Sequence, residues 1–107
     1  PGTFAVVAEQ DEEVVAFVLV SRRRRLLGHI ITIDVHPEFR RRGIGAHLME
    51  MAEQRLRKEG ATRVVLEVAT HNQPALAFYG ARGFVQQRVL PRYYRDGSDA
   101  YLMEKAL

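Results

Sequence analysis

The chain has 107 residues, 47% of them hydrophobic and 27% charged, which is typical of one globular domain and excludes a disordered segment. The absence of cysteine excludes disulfide frameworks, thiolate zinc sites and cysteine nucleophiles. Sixteen basic and 13 acidic residues give a net charge of +3, with arginines clustered at 22–25 and 40–42. Because no apolar run approaches the roughly 18 residues of a membrane span and no signal peptide opens the chain, we expect a cytoplasmic protein without a membrane partner.

The first part of the chain predicts three strands and a helix. Residues 4–9 and 14–20 are rich in β-branched side chains and predict a hairpin, and the arginines at 22–25 with Gly28 predict the next connection. Residues 30–35 predict a third strand, which Pro37 ends. From Gly43 the apolar residues repeat every fourth position, which indicates an amphipathic helix that stops at Gly60.

The second part predicts a strand over residues 64–68 and then a short helix, with Pro74 in its first turn and Gly83 just past its end. Two closing strands, over 84–90 and 100–104, flank a turn at Asp96-Gly97. This order predicts an α/β (α+β) fold in a single domain over residues 1–107. Its sheet is mixed, with a central β-α-β crossover.

The segment R-R-R-G-I-G-A at residues 40–46 lies between a strand and the long helix. Glycines leave backbone N–H groups bare at a helix N-terminus, whose partial positive charge attracts anions such as pyrophosphate. A glycine helix start beside a solvated basic loop explains the segment equally well. A dinucleotide-binding fingerprint is disfavoured, because Leu48 stands where Gly or Ala is wanted and seven residues separate Val35 from Gly43.

Several single residues admit both a chemical and a structural interpretation. Glu67 interrupts an apolar strand and suits a base, or it pairs with Arg63 on a solvated face. Tyr79 suits core packing as well as catalysis, and Asn72 suits a helix cap. The four histidines lack a metal-ligand spacing, so no metal is expected. No nucleic-acid motif accompanies the arginines, so nucleic acid is not expected as a partner.

Together, the segments V-H-P-E-F-R-R-R-G-I-G-A-H-L-M, L-E-V and N-Q-P-A-L-A-F-Y-G-A-R-G-F resemble the GNAT superfamily of acetyl-CoA-dependent N-acetyltransferases. The ending Y-Y-R-D-G-S-D-A-Y-L-M-E is similar to the protein N-terminal acetyltransferases, in particular the ribosomal-protein-alanine type. The resemblance covers residues 14–104. It implies a mostly antiparallel sheet, acetyl-CoA as co-substrate, no metal, and a protein or peptide N-terminus as acceptor, and it leaves a homodimer open.

The resemblance also implies a role for each matching residue. Glu67 matches the general base and Tyr79 the general acid, while Tyr93 and Tyr94 would bind the acceptor. The backbone of one strand would line the pantetheine arm, the glycine loop would hold the pyrophosphate, and an asparagine would contact the cofactor beyond the next strand. These cofactor residues are Ile33, Asp34, Val35, Arg41, Arg42, Gly43, Ile44, Gly45, Ala46 and Asn72.

Similar proteins begin with a strand and two helices that have no counterpart here, so we expect an N-terminally shortened chain. Two alternatives to acetylation of protein N-termini stay open at this point: a GNAT enzyme acting on a small-molecule amine, and a CoA-binding module without catalysis.

Overall fold

The computed structural model of the protein describes residues 2–107, which form six strands and two α-helices. The elements are β1 (Thr3–Gln10), β2 (Glu13–Arg24), β3 (Leu27–Val35), α1 (Ile44–Lys58), β4 (Arg63–Ala69), α2 (Gln73–Ala81), β5 (Val85–Leu90) and β6 (Ala100–Ala106). The strands follow the order β1-β2-β3-β4-β6-β5 in one sheet. Since α1 connects the neighbours β3 and β4, the predicted β-α-β crossover and α+β class are confirmed.

The chain divides into two units, residues 1–64 with Leu107 and residues 65–106. In the first unit β2 pairs antiparallel with β1 and with β3. The hairpin between β1 and β2 turns at Asp11 and Glu12, both with positive φ, as a tight two-residue turn requires.

The first unit's core lies where α1 packs on its three strands. The apolar stripe of the helix is fully buried at Leu48, Met49, Ala52 and Leu56. Strand β2 contributes Val18 and Val20 to the buried set. The four-residue repeat of α1 therefore predicted the correct face of the helix.

The predicted connection at the arginines of residues 22–25 with Gly28 is wrong. Strand β2 continues through Arg24, and Gly28 lies inside β3 opposite Arg22. Arg22 also forms an ion pair at 3.3 Å with Glu59, the C-cap of α1. Antiparallel pairing and this ion pair override the low strand signal of a polar run, since β propensity depends on context.

In the second unit β5 and β6 form an antiparallel pair. Its buried apolar side chains are Val65, Leu66 and Val68 of β4 together with Phe84, Ala100 and Met103. Helix α2 spans nine residues between β4 and β5. The loop of residues 91–99 connects β5 to β6.

Candidate active site

The loop between β3 and α1 turns sharply before the helix begins. A short 3₁₀ turn at Pro37–Phe39 follows β3, and Nδ1 of His36 accepts a hydrogen bond from the Glu38 N–H at 3.2 Å. Arg41 and Gly43 then adopt positive φ values of 64° and 79°. An L residue adopts this conformation only at a cost, so the turn favours glycine at position 43, whereas Arg41 bears that cost.

The N-terminus of helix α1 follows directly on this turn. Gly43 is its N-cap, and in the described part of the chain no side chain caps it. A Cβ built on Gly43 would meet no atom of residues 2–107 within 4 Å. The first turn, with Ile44, Gly45 and Ala46, carries no acidic residue. Uncapped N–H groups and the positive end of the helix dipole suit a phosphate, so this loop fits the pyrophosphate of acetyl-CoA.

The three arginines of the loop differ in their contacts. Arg40 donates from Nε to the Val35 carbonyl at 2.9 Å, and its Nη2 lies 3.9 Å from Oδ1 of Asp34. The guanidinium of Arg42 lies over the Phe39 ring, 5.0 Å from its centroid, while Arg41 is exposed. Arg40 thus attaches the loop to the end of β3. The sequence signal for this contact was only the run of basic residues.

The cofactor-lining residues predicted on β3 lie at its C-terminal end. Ile33 and Val35 are half-buried and Asp34 is exposed. The pairing of β3 with β2 is irregular just before this end. Leu19 of β2 pairs with Thr32, but the next residue, Val20, pairs with Ile30, so the register of the two strands shifts at this point. Bulges of this kind bend a strand and are frequent beside active sites. The strand periodicity gave no signal of this shift.

In the second unit Asn72 caps α2. Its Oδ1 accepts a hydrogen bond from the Ala75 N–H at 3.2 Å, and its carbonyl accepts from the Leu76 N–H at 3.0 Å. Pro74 occupies the first turn, as predicted. The interpretation of Asn72 as a helix cap is therefore confirmed. The residue is exposed.

Tyr79 lies on α2 with its side chain half-buried. Its ring packs edge-on against Phe78 and Phe84, with centroids 5.3 and 5.8 Å away. Burial raises the pKa of Tyr79, and the neighbouring Tyr94 adds to the effect. The phenol therefore stays neutral and can act as a proton donor at ordinary pH. Aromatic packing and acid chemistry are compatible at this residue.

The second unit also contains the other predicted site residues, Glu67, Tyr93 and Tyr94. The two tyrosine rings meet edge-on with centroids 5.0 Å apart. Burial raises the pKa of Tyr94 most, followed by Tyr93 and then the carboxylate of half-buried Glu67. The pKa of Tyr94 thus responds to the charge of Glu67, and the pKa of Tyr79 responds to Tyr94.

Neither a metal centre nor a membrane span is found in the part of the chain that the structure describes. Over residues 2–107 no group of three or more His, Asp or Glu side chains could hold a metal ion. No helix in the same range is long and apolar enough to cross a membrane.

The fold agrees with comparisons to known proteins. The family model of the Acetyltransferase (GNAT) family matches residues 1–84. An N-alpha-acetyltransferase of Sulfurisphaera tokodaii is 37% identical, over 94% of this chain and 68% of its own length. The structure of Ard1 from Thermoplasma volcanium matches with a TM-score of 0.87 at 37% identity, over 91% of this chain and 66% of that one. The ribosomal-protein-S18-alanine N-acetyltransferase of Escherichia coli matches with a TM-score of 0.87 at 28% identity, over 97% and 68%.

The chain belongs to the Acetyltransferase (GNAT) family. Members of this family transfer an acetyl group from acetyl-CoA, so the predictions of an acetyl-CoA-dependent N-acetyltransferase and of its co-substrate are confirmed at the level of the family. The chain spans about two thirds of the length of the Sulfurisphaera relative and of the Ard1 structure.

Proposed function

We propose that the protein transfers the acetyl group of acetyl-CoA to the N-terminal α-amine of a protein or peptide. Glu67 is the general base and Tyr79 the general acid. The observation that carries these roles is the placement of half-buried Glu67 in the same unit as half-buried Tyr79, whose ring packs edge-on against Phe78 and Phe84. The similarity to proteins named N-alpha-acetyltransferase supports the choice of acceptor.

The first unit supplies the binding of the acetyl donor. The N–H groups at the start of α1 and the guanidinium groups of Arg41 and Arg42 would hold the diphosphate, because both present positive charge to an anion. The end of β3, including Ile33, would line the pantetheine arm with its backbone. When bound, acetyl-CoA supplies an activated thioester as the acetyl donor.

Glu67 takes the proton that the acceptor amine must lose before it can attack. A protein α-amine has a pKa of about 8, whereas a lysine side chain has a pKa of about 10.4. Deprotonation of an α-amine by a carboxylate, directly or through water, is therefore the easier task. This difference favours a protein N-terminus over a lysine side chain as the acceptor.

Tyr79 donates its hydroxyl proton to the leaving sulfur. Burial raises the pKa of Tyr79, which keeps the proton in place at neutral pH but reduces the driving force of its release. Tyr93 is 47% exposed, so the Tyr93–Tyr94 pair offers hydroxyl groups and ring faces to the backbone of an acceptor peptide.

Thiol release from acetyl-CoA tests this function on a panel of peptides with different N-terminal residues, beside small-molecule amines. We expect turnover with peptides, and a loss of kcat of about 10²- to 10⁴-fold in Tyr79→Phe and in Glu67→Gln. Tyr101→Phe on β6 and Glu50→Gln on α1 are matched controls that should retain activity. Turnover with small amines alone would overturn the choice of acceptor, and full activity of both site variants would overturn the assigned roles.

A further inference from the structure

The loop of residues 91–99, which carries Tyr93 and Tyr94, is held by several hydrogen bonds. Oδ1 of Asp99 accepts from the Arg92 N–H at 2.9 Å. The Tyr94 N–H donates to the Ser98 carbonyl at 3.2 Å, and the Gly97 N–H donates to the Tyr94 carbonyl at 2.9 Å. The tyrosines therefore sit in a loop with a defined conformation.

Asp99 forms hydrogen bonds with two separate segments, the start of this loop and the residue after β4. Its side chain binds the backbone directly before Tyr93, while its carbonyl accepts from the Thr70 N–H at 3.0 Å. Thr70 follows the last residue of β4, the strand that carries Glu67. Asp99 therefore connects the segment that carries the two tyrosines to the end of β4, the strand that bears the proposed base.

The backbone at Arg92 shows why a side-chain acceptor is needed there. Arg92 has a positive φ of 51°, a left-handed conformation that costs an L residue about 1–2 kcal/mol. The hydrogen bond to Asp99 compensates for this cost and holds the chain reversal that presents Tyr93. Without the acceptor the backbone at Arg92 would relax toward other conformations, because the other hydrogen bonds described within the loop join residues 94–98.

Asp96 makes a different kind of contact. Its Oδ1 accepts from the Ser98 N–H at 2.9 Å and from the Ser98 hydroxyl at 2.6 Å. These hydrogen bonds close a local turn of three residues and reach neither Arg92 nor β4. The two aspartates of the D-G-S-D segment therefore have separate tasks, and only Asp99 links distant parts of the unit.

We propose that Asp99 is a positioning residue for acetyl transfer, which fixes the Tyr93–Tyr94 segment beside the Glu67 strand and so sets the affinity for the acceptor. The inference rests on the proposed function, because it assigns the acceptor to these tyrosines. Asp99 acts through the loop and does not touch the reacting atoms. Its loss should therefore affect the acceptor far more than the acetyl donor, whose proposed diphosphate site is the loop before α1.

Kinetics of Asp99→Ala and Asp99→Asn in the full chain test the proposal. We expect Asp99→Ala to raise the KM for the peptide about five- to tenfold, as loss of one such hydrogen bond allows, with the KM for acetyl-CoA unchanged. Asp99→Asn keeps a side-chain carbonyl that accepts from Arg92, so it should restore the wild-type KM. Equal rises in both KM values, or no rescue by asparagine, would overturn the proposal.

Amide hydrogen exchange gives a readout that does not depend on turnover. We expect protection of the Arg92 amide in the wild type and in Asp99→Asn, and fast exchange in Asp99→Ala with the exchange of α1 unchanged. Equal Arg92 exchange in all three proteins would contradict the role of Asp99 even if no peptide is acetylated. An inactive wild type with the expected exchange pattern would instead contradict the proposed function.

Discussion

Substitution of Gly28 by alanine tests the packing of β3 against α1. A Cβ at this position would lie 2.7 and 2.8 Å from the two methyl carbons of Leu56, about 0.8 Å short of the lower limit of a normal carbon contact. Leu56 is fully buried, so its methyl groups have no solvent to move into. Overpacking of this kind costs about 1–3 kcal/mol.

A double-mutant cycle with Leu56→Ala makes the prediction specific. Leu56→Ala alone should cost about 2–5 kcal/mol, because it leaves a cavity. In the double variant the new methyl group of residue 28 occupies part of that cavity. We therefore expect the double variant to lose less stability than the two single variants combined, by about 1 kcal/mol or more.

Thermal and urea unfolding measure these effects, since each kcal/mol shifts the Tm of a domain of this size by about 4–8 °C. Gly80→Ala is the matched control, because a Cβ at Gly80 in α2 meets no atom of residues 2–107 within 4 Å and its φ is not positive. That variant should gain about 0.5–1 kcal/mol. Wild-type stability of Gly28→Ala, or strict additivity in the cycle, would refute the packing argument.

Three further predictions concern the site. Arg42→Gln should weaken acetyl-CoA binding about tenfold in isothermal titration at low salt, and unchanged affinity would contradict a phosphate contact. Asn72→Ala should cost about 0.5–2 kcal/mol of unfolding free energy through loss of the α2 cap, whereas Asn72→Asp should keep it. Burial raises the pKa of Tyr79, so its stabilisation is fully present below pH of about 10 and lost as the pH rises through the folded pKa. Tyr79→Phe should therefore flatten the alkaline loss of stability, and an unchanged pH profile would argue against burial as the cause.

The order of the elements could be predicted because each depends on a local signal. The four-residue repeat along α1, the proline in the first turn of α2 and the Asp96-Gly97 turn act over a few residues. Strand ends were less predictable. Strand β2 extends to Arg24 because β3 pairs with it there, and this pairing outweighs the low strand propensity of the arginine run.

The site was predictable to a similar extent. Gly43 and Asn72 have local tasks, a left-handed turn and a helix cap, and sequence patterns indicate both. Asp99 could not be singled out, since its partners are Arg92 and Thr70, seven and 29 positions away. The register shift near Ile31 is likewise a property of two paired strands and not of one.

The arginines at positions 40–42 show how contacts divide a charge cluster that looks uniform in the sequence. Arg40 is committed to the Val35 carbonyl and to Asp34, so its charge is partly neutralised within the protein. The planar guanidinium of Arg42 lies over the Phe39 ring, which leaves the N–H groups at its edge able to donate hydrogen bonds. Arg41 is exposed on a left-handed backbone directly before the helix start. The charge available to a diphosphate is therefore closer to two than to three, and Arg40 attaches the loop to the end of β3.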